Sequence, residues 1–304
     1  MKNSSIFPEF PLEDWFATKE TLHRYLQIVG KLRLSLNSKK NHWWHLTLYV
    51  NSRGIYTGSI PNGAFSFDIQ FDFINHELQI HTSKGDRRYF ELKDGLSVKD
   101  FYNKLSEILN DLSIGFEIIA KPFDLSDKVP FSECTLHNSY NPEAVHKAWQ
   151  ILVQVNMLLE EFAGRSYSKT CPVHIYWHHL DLVVTRFSGD KAPEMNTTSI
   201  VELEAYSHEV ISFGFWFGDD NIREPAFYSY TYPAPRGIDK KKLQPDPAKW
   251  VDSNGSPMAI LLYNDIREKE NAKDLIMEFL ESSYKAGASL SGWDIEGLEV
   301  PASG

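Results

Sequence analysis

The residues of this chain that could do chemistry are mostly histidines, tyrosines and tryptophans, with one arginine in an apolar setting, and they gather in a few short stretches. In PVHIYWHHLDL (172–182), strand alternation puts His174, Tyr176 and His178 on one face, and a turn near His179-Leu180 brings Asp181 across to them. Two imidazoles and a carboxylate can hold zinc or iron. His-x-x-x-His on a strand is not a metal signature, however, and histidines beside turns are common. No metal ligand is therefore assigned, and a metal-dependent hydrolase is kept as a subsidiary reading.

Tyr228, Tyr230 and Tyr232 alternate, so their rings line one face of a strand, and Trp216 on the preceding strand extends that wall. A buried phenol needs a partner for its hydroxyl, which suits a pocket wall that packs its rings and aims its OH groups at a ligand. The bland alternative is a sheet face covered by a helix. Arg186 follows Leu182-Val183-Val184 and is costly to bury unless it meets a carboxylate, Asp181 or Glu209, or an anionic ligand. Ser207-His208-Glu209 has the residue types of a hydrolytic triad, but neighbours on a strand face opposite ways and no G-x-S-x-G elbow occurs.

Composition removes several classes. A net charge of −10 opposes attraction to a phosphate backbone, and Lys240-Lys241-Lys242 reads as a solvated loop, so no nucleic-acid partner is expected. Cys134 and Cys171 have no C-x-x-C spacing and read as reduced structural thiols. There is no P-loop and no G-x-G-x-x-G fingerprint, no cofactor is indicated, and Asp219-Asp220 lacks the oxygen spacing of a calcium loop. No leader-like or membrane-length apolar run appears, so the expected location is the cytoplasm, away from membranes.

The elements that must position these residues follow from periodicity. Leu22, Tyr25, Leu26, Val29 and Leu32 make a helical stripe over 18–34. Alternation predicts a strand from Trp43 to Val50, with Trp44, Leu46 and Leu48 facing one way and Trp43, His45 and Thr47 the other. A hairpin turn follows at Asn51-Ser52-Arg53-Gly54, and Phe67, Ile69, Phe71 and Phe73 mark a half-buried strand that pairs with 78–82. Ser97 caps a second helix, and a strand is predicted over 114–120. The unpatterned run 122–142 divides the chain into halves, 1–125 and 126–304. Asn141 and Pro142 open a third helix, and strands over 173–177, 182–187, 210–217, 227–232 and 259–263 precede a last helix over 271–286.

The segments NHWWH (41–45), FDF (71–73), TRFSG (185–189), AYSHEV (205–210), FWFG (215–218) and FYSYTYP (227–233), taken in order, resemble a family of bacterial proteins of unknown function along nearly the whole chain. The resemblance implies a common fold and no chemistry. In that family the place of His178-His179 is more often held by small residues, which weighs against a metal role for the pair.

The expected architecture is α+β, two antiparallel sheets with packed helices, read as two related helix-hairpin-hairpin-helix halves in one protein. A small-molecule pocket is expected between the halves, lined by Trp43, Trp44, Tyr176, Trp216, Tyr228 and Tyr230, with His45, His174 and His208 as acid or base and Arg186 as a clamp for an anionic ligand. The competing expectation is a non-catalytic interaction protein or homo-oligomer using the aromatic strands as its interface. Neither the reaction nor the oligomeric state is legible from the residues.

Overall fold

Helix α1 (Phe16–Leu36) opens the fold and is buried on nearly every side, polar residues included. The structure, a computed structural model, describes residues 6–301. A first sheet follows, built from β1 (Tyr49–Asn51), β2 (Gly54–Tyr56), β3 (Ile60–Asn62), β4 (Phe65–Asp72), β5 (Glu77–Thr82) and β6 (Arg87–Glu91), and then α2 (Val98–Asp111). Its strands lie in the order β1-β2-β4-β5-β6, with β3 also on β4, and every pair is antiparallel.

The second half starts with α3 (Pro142–Gly164), whose Asn141 accepts the Ala144 N–H at 3.1 Å and whose Pro142 forfeits no hydrogen bond at the first helical position. Then come β7 (His174–Tyr176), β8 (Asp181–Lys191), the short α4 (Ile200–Ala205), β9 (His208–Trp216), β10 (Ala226–Tyr232), β11 (Lys249–Ser253) and β12 (Ser256–Leu262). The small α5 (Tyr263–Ile266), the long α6 (Ala272–Ser291) and α7 (Ile295–Leu298) complete the chain. The second sheet is also antiparallel, in the order β11-β12-β10-β9-β8-β7. The edges of the two sheets meet where Leu48 and Ile175 exchange two backbone hydrogen bonds, at 2.7 and 3.0 Å.

Among the described residues, one expected strand is cut short and another is absent. Residues 41–47 form a turn because His42 and Trp43 take left-handed backbone angles, φ 53° and 60°, which no strand accommodates, so pairing begins only at Leu48. Residues 114–120 belong to a long irregular segment that lies over α1, where Gln27 bonds both the N–H and the carbonyl of Phe123. That covering explains why α1 is buried beyond its stripe. Conversely, β11 lies between the expected strands 227–232 and 259–263, where no strand is expected.

The apolar face of the second sheet packs on α3 and α6. Phe162 meets Phe213 edge-on at 4.7 Å, and Gly287 lets α6 approach so closely that a Cβ there would lie 2.2 Å from Thr231 Oγ1. In the first sheet Phe71 and Tyr25 flank Phe101 of α2 in a stack of rings 6.1 and 4.0 Å apart. The other face of the second sheet is left for polar and aromatic side chains.

Candidate functional site

Register decides which residues share that other face. Tyr176 pairs with Asp181, and His174 with Val183; Val183 pairs with Gly214, and Gly214 with Tyr228. Alternation then adds Thr185, Ser212, Trp216, His208 and Tyr230. His174, Tyr176, His208, Trp216, Tyr228 and Tyr230, all expected in the site, therefore do lie on one face.

Gly214 shapes its centre. A Cβ on Gly214 would lie 2.5 Å from the ring and hydroxyl of Tyr228, so only glycine lets that phenol lie flat across β9 and reach β8. There the Tyr228 hydroxyl donates to Asp181 Oδ2 at 2.6 Å. Burial raises the Asp181 carboxyl above the usual carboxylate range, toward the neutral acid, and drives the Tyr228 phenol well above its ordinary value. The Tyr230 ring lies parallel to Tyr228 at 6.2 Å, and its oxygen accepts from the Tyr206 hydroxyl at 3.5 Å.

Three buried polar atoms on this face have no protein partner: Asp181 Oδ1, Trp216 Nε1 and His174 Nε2. Asp181 Oδ2 accepts from Tyr228 while Oδ1 stands open to a hydrogen-bonding group, and the Trp216 N–H can only donate. His174 Nδ1 lies 2.9 Å from the Pro172 carbonyl and so bears the ring proton, leaving Nε2 a bare acceptor. Burial pushes His174 down to about 4, so it is neutral near pH 7. Buried polar groups are nearly always paired, and three orphans on one face are unusual.

Arg186 Nε is also buried without a partner, but it is not on this face. It points the other way, beneath α3 and α6, where Nη2 donates to the Phe162 carbonyl at 2.5 Å. Its guanidinium lies 3.6 Å from the Phe162 ring centre and 4.5 Å from that of Tyr284. Its parity on β8 is opposite to that of Asp181, and it meets neither Asp181 nor an open cleft. The expected anion clamp is thus a structural cation held between two rings. Glu209 likewise faces away and accepts from Trp293 Nε1 at 2.9 Å, so Ser207-His208-Glu209 forms no triad, although Ser207 Oγ lies 3.1 Å from His208 Nδ1.

The left-handed turn at His42 and Trp43 closes one end of the face. His45 is buried in it, accepts the Lys40 N–H at 3.3 Å through Nδ1, and stacks on Trp43; it stays off the sheet face. Trp43 donates through Nε1 to the Val201 carbonyl of α4 at 3.2 Å, and Trp44 sets its ring edge-on to Phe187. The histidine that does reach the sheet is His42, which sequence reasoning passed over. Its ring is 4.6 Å from Phe187 and 5.8 Å from His208, its Nε2 is 3.1 Å from Lys169 Nζ, and its carbonyl accepts from the Tyr176 hydroxyl at 3.1 Å. Its place in NHWWH was the available signal. The four segments NHWWH, TRFSG, AYSHEV and FYSYTYP thus meet here, through His42, Phe187, Tyr206 with His208, and Tyr230 with Tyr232.

The chain belongs to DUF5996, a family of unknown function. The family model matches residues 7–300, so membership covers both sheets and the tyrosine face of the second. No curated protein and no solved structure matches the chain.

A cleft of about 390 Å³ opens beside this end of the face, with Lys191, Met195, Leu203, Tyr206 and His208 in its wall. Tyr206 belongs to both the cleft and the phenol pair. His178, weighed as a metal ligand and not assigned as one, is held down to about 3 by burial, while His179 bonds Asp124 at 2.8 Å. Among the described residues, His174, His178 and Asp181 do not make a group of metal-ligand size. Cys171 lies 3.2 Å from His174, and burial raises its thiol to about 12, which makes it inert as a nucleophile. No described helix is long and apolar enough to cross a membrane.

Proposed function

We propose that the tyrosine face of the second sheet binds a small, uncharged polar molecule, reached from the cleft at Tyr206 and His208. The observation that carries this reading is the set of three buried atoms without protein partners, the Trp216 Nε1 donor, the His174 Nε2 acceptor and Asp181 Oδ1. A ligand with both acceptor and donor atoms would satisfy all three, and a buried carboxyl beside it, raised by burial above the usual carboxylate range, disfavours an anion. The position of Arg186 on the far face also supports a neutral ligand.

A thermal-shift panel of uncharged amides, nucleosides and sugars, set against carboxylates and phosphates, tests the proposal. A neutral member present at about 100 times its Kd should stabilise the fold by about 2.7 kcal/mol. Tyr228→Phe and His174→Asn should each weaken that response at least tenfold. Stabilisation by anions alone, or a neutral-ligand response indifferent to both substitutions, refutes it.

A second reading, a homo-oligomer, draws on α4, whose Ile200, Val201 and Leu203 are 70%, 46% and 44% exposed. Sedimentation of the wild type and of Leu203→Asp decides it: a dimer dissolved by the aspartate favours the interface, and an unchanged monomer removes it.

A further inference from the structure

We infer that Asp127, Cys134 and His137 form a binding site for a thiophilic divalent metal of the zinc class, with a coordination position open to the cleft beside α1. One potential ligand atom from each residue lies within 4.8 Å of the other two, the only such group among the described residues. His137 Nε2 and Asp127 Oδ2 are 3.3 Å apart. Two ligands at about 2.0 Å from a tetrahedral zinc stand about 3.3 Å from each other, so this pair already has the required bite. The Cys134 sulfur lies within 4.8 Å of both and would complete the third vertex by closing to about 3.5 Å from each.

The donor set points to the metal. Thiolate, imidazole and carboxylate together suit zinc, cobalt(II) or iron(II) and suit calcium or magnesium poorly. Three protein ligands with a fourth place left open is the arrangement of a site that binds something besides the metal. Of the three, His137 lines a cleft of about 300 Å³ beside α1, together with Glu20, Thr21 and Ser139, and through it a fourth ligand would enter.

The segment that carries the ligands is well fastened. Cys134 donates its N–H to the Pro130 carbonyl at 3.0 Å and accepts from Lys99 at 2.9 Å, and the His137 carbonyl accepts from Val98 at 3.0 Å. Asp127 Oδ1 is held by the Val129 N–H at 2.9 Å. Arg24 Nη2, 3.5 Å from Asp127 Oδ2, orients the carboxylate, and Glu20 at 3.0 Å balances the arginine's charge. When the metal binds, the Cys134 thiol gives its proton to solvent, a sulfur–metal bond forms, and nothing is oxidised or reduced.

Cobalt(II) titration of the full chain, stripped beforehand with a chelator, tests the site. A near-ultraviolet sulfur-to-cobalt charge-transfer band should grow to one equivalent and vanish on adding zinc. Cys134→Ser should abolish the band, and Cys171→Ser should leave it unchanged. Asp127→Asn and His137→Ala should each weaken cobalt binding more than about 100-fold, since loss even of groups that only orient ligands costs about 10–100-fold. His137 is 18% exposed at its side chain, so His137→Ala, checked for a native circular dichroism spectrum, decides the matter if Cys134→Ser does not fold. No band at one equivalent, a band that survives Cys134→Ser or is lost in Cys171→Ser, or undiminished affinity in folded His137→Ala overturns the assignment.

Discussion

Replacing His174 with Asn should flatten the acid side of the protein's stability profile. Burial takes this imidazole from 6.5 down to about 4, so the folded chain binds its proton less readily than the unfolded chain does. The contribution is complete above the unfolded value and drains away as pH falls toward the folded one. Between about pH 7.5 and about pH 5, a group with those two values costs the fold about 2 kcal/mol, with a ceiling near 3.4 kcal/mol at lower pH. Asn keeps an amide where Nδ1 now donates to the Pro172 carbonyl, and it cannot titrate. Any packing loss it brings is constant with pH and cancels in the comparison. His23 and His178, pushed down to about 4 and about 3, drain likewise, but they do so in both proteins. Urea unfolding followed by tryptophan fluorescence at the two pH values gives four free energies. The wild type should lose about 2 kcal/mol more than the variant on acidification. Equal losses would mean that His174 is not held neutral by burial, and the argument that its Nε2 serves as an acceptor on the tyrosine face would fall with it.

Gly214→Ala should destabilise the protein by about 2–4 kcal/mol, from overpacking against Tyr228 and loss of the Tyr228–Asp181 hydrogen bond. In a Tyr228→Phe background the same substitution should cost less, and additive costs in a denaturation cycle would refute the contact. Arg186→Lys should cost about 2 kcal/mol, because an ammonium cannot stack as a plane between Phe162 and Tyr284, and it should leave any ligand response unchanged. Stability equal to wild type with a weakened ligand response would return Arg186 to the site.

Much of the fold could be read locally. Ser97 with its stripe of Val98, Phe101, Leu105 and Leu109, and Asn141-Pro142 ahead of Trp149 and Leu152, mark helices wherever they occur, since caps and a 3.6-residue period depend on neighbours a few positions away. Tyr228 and Tyr230, like His174 and Tyr176, had to share a face if they were strands at all. The same reasoning failed where alternation lacked a partner. Trp43 to Thr47 alternates as a strand should, but the left-handed turn at His42 and Trp43 docks those rings on α4 and Phe187 instead. Residues 249–253 show little pattern and are a strand because β12 is there to pair with them.

Which residues could do chemistry was therefore a property of the sequence, and which of them meet was not. Period and composition act over a few residues, and they singled out the histidines, the tyrosines and the odd arginine. Register across β7, β8, β9 and β10 acts over tens of residues, and it put Asp181 under Tyr228, turned Arg186 to the opposite face and brought His42 in place of His45. The deciding residue was Gly214, whose missing side chain lets a phenol cross a strand. No local pattern records that, because the space it leaves has meaning only once β10 lies beside it.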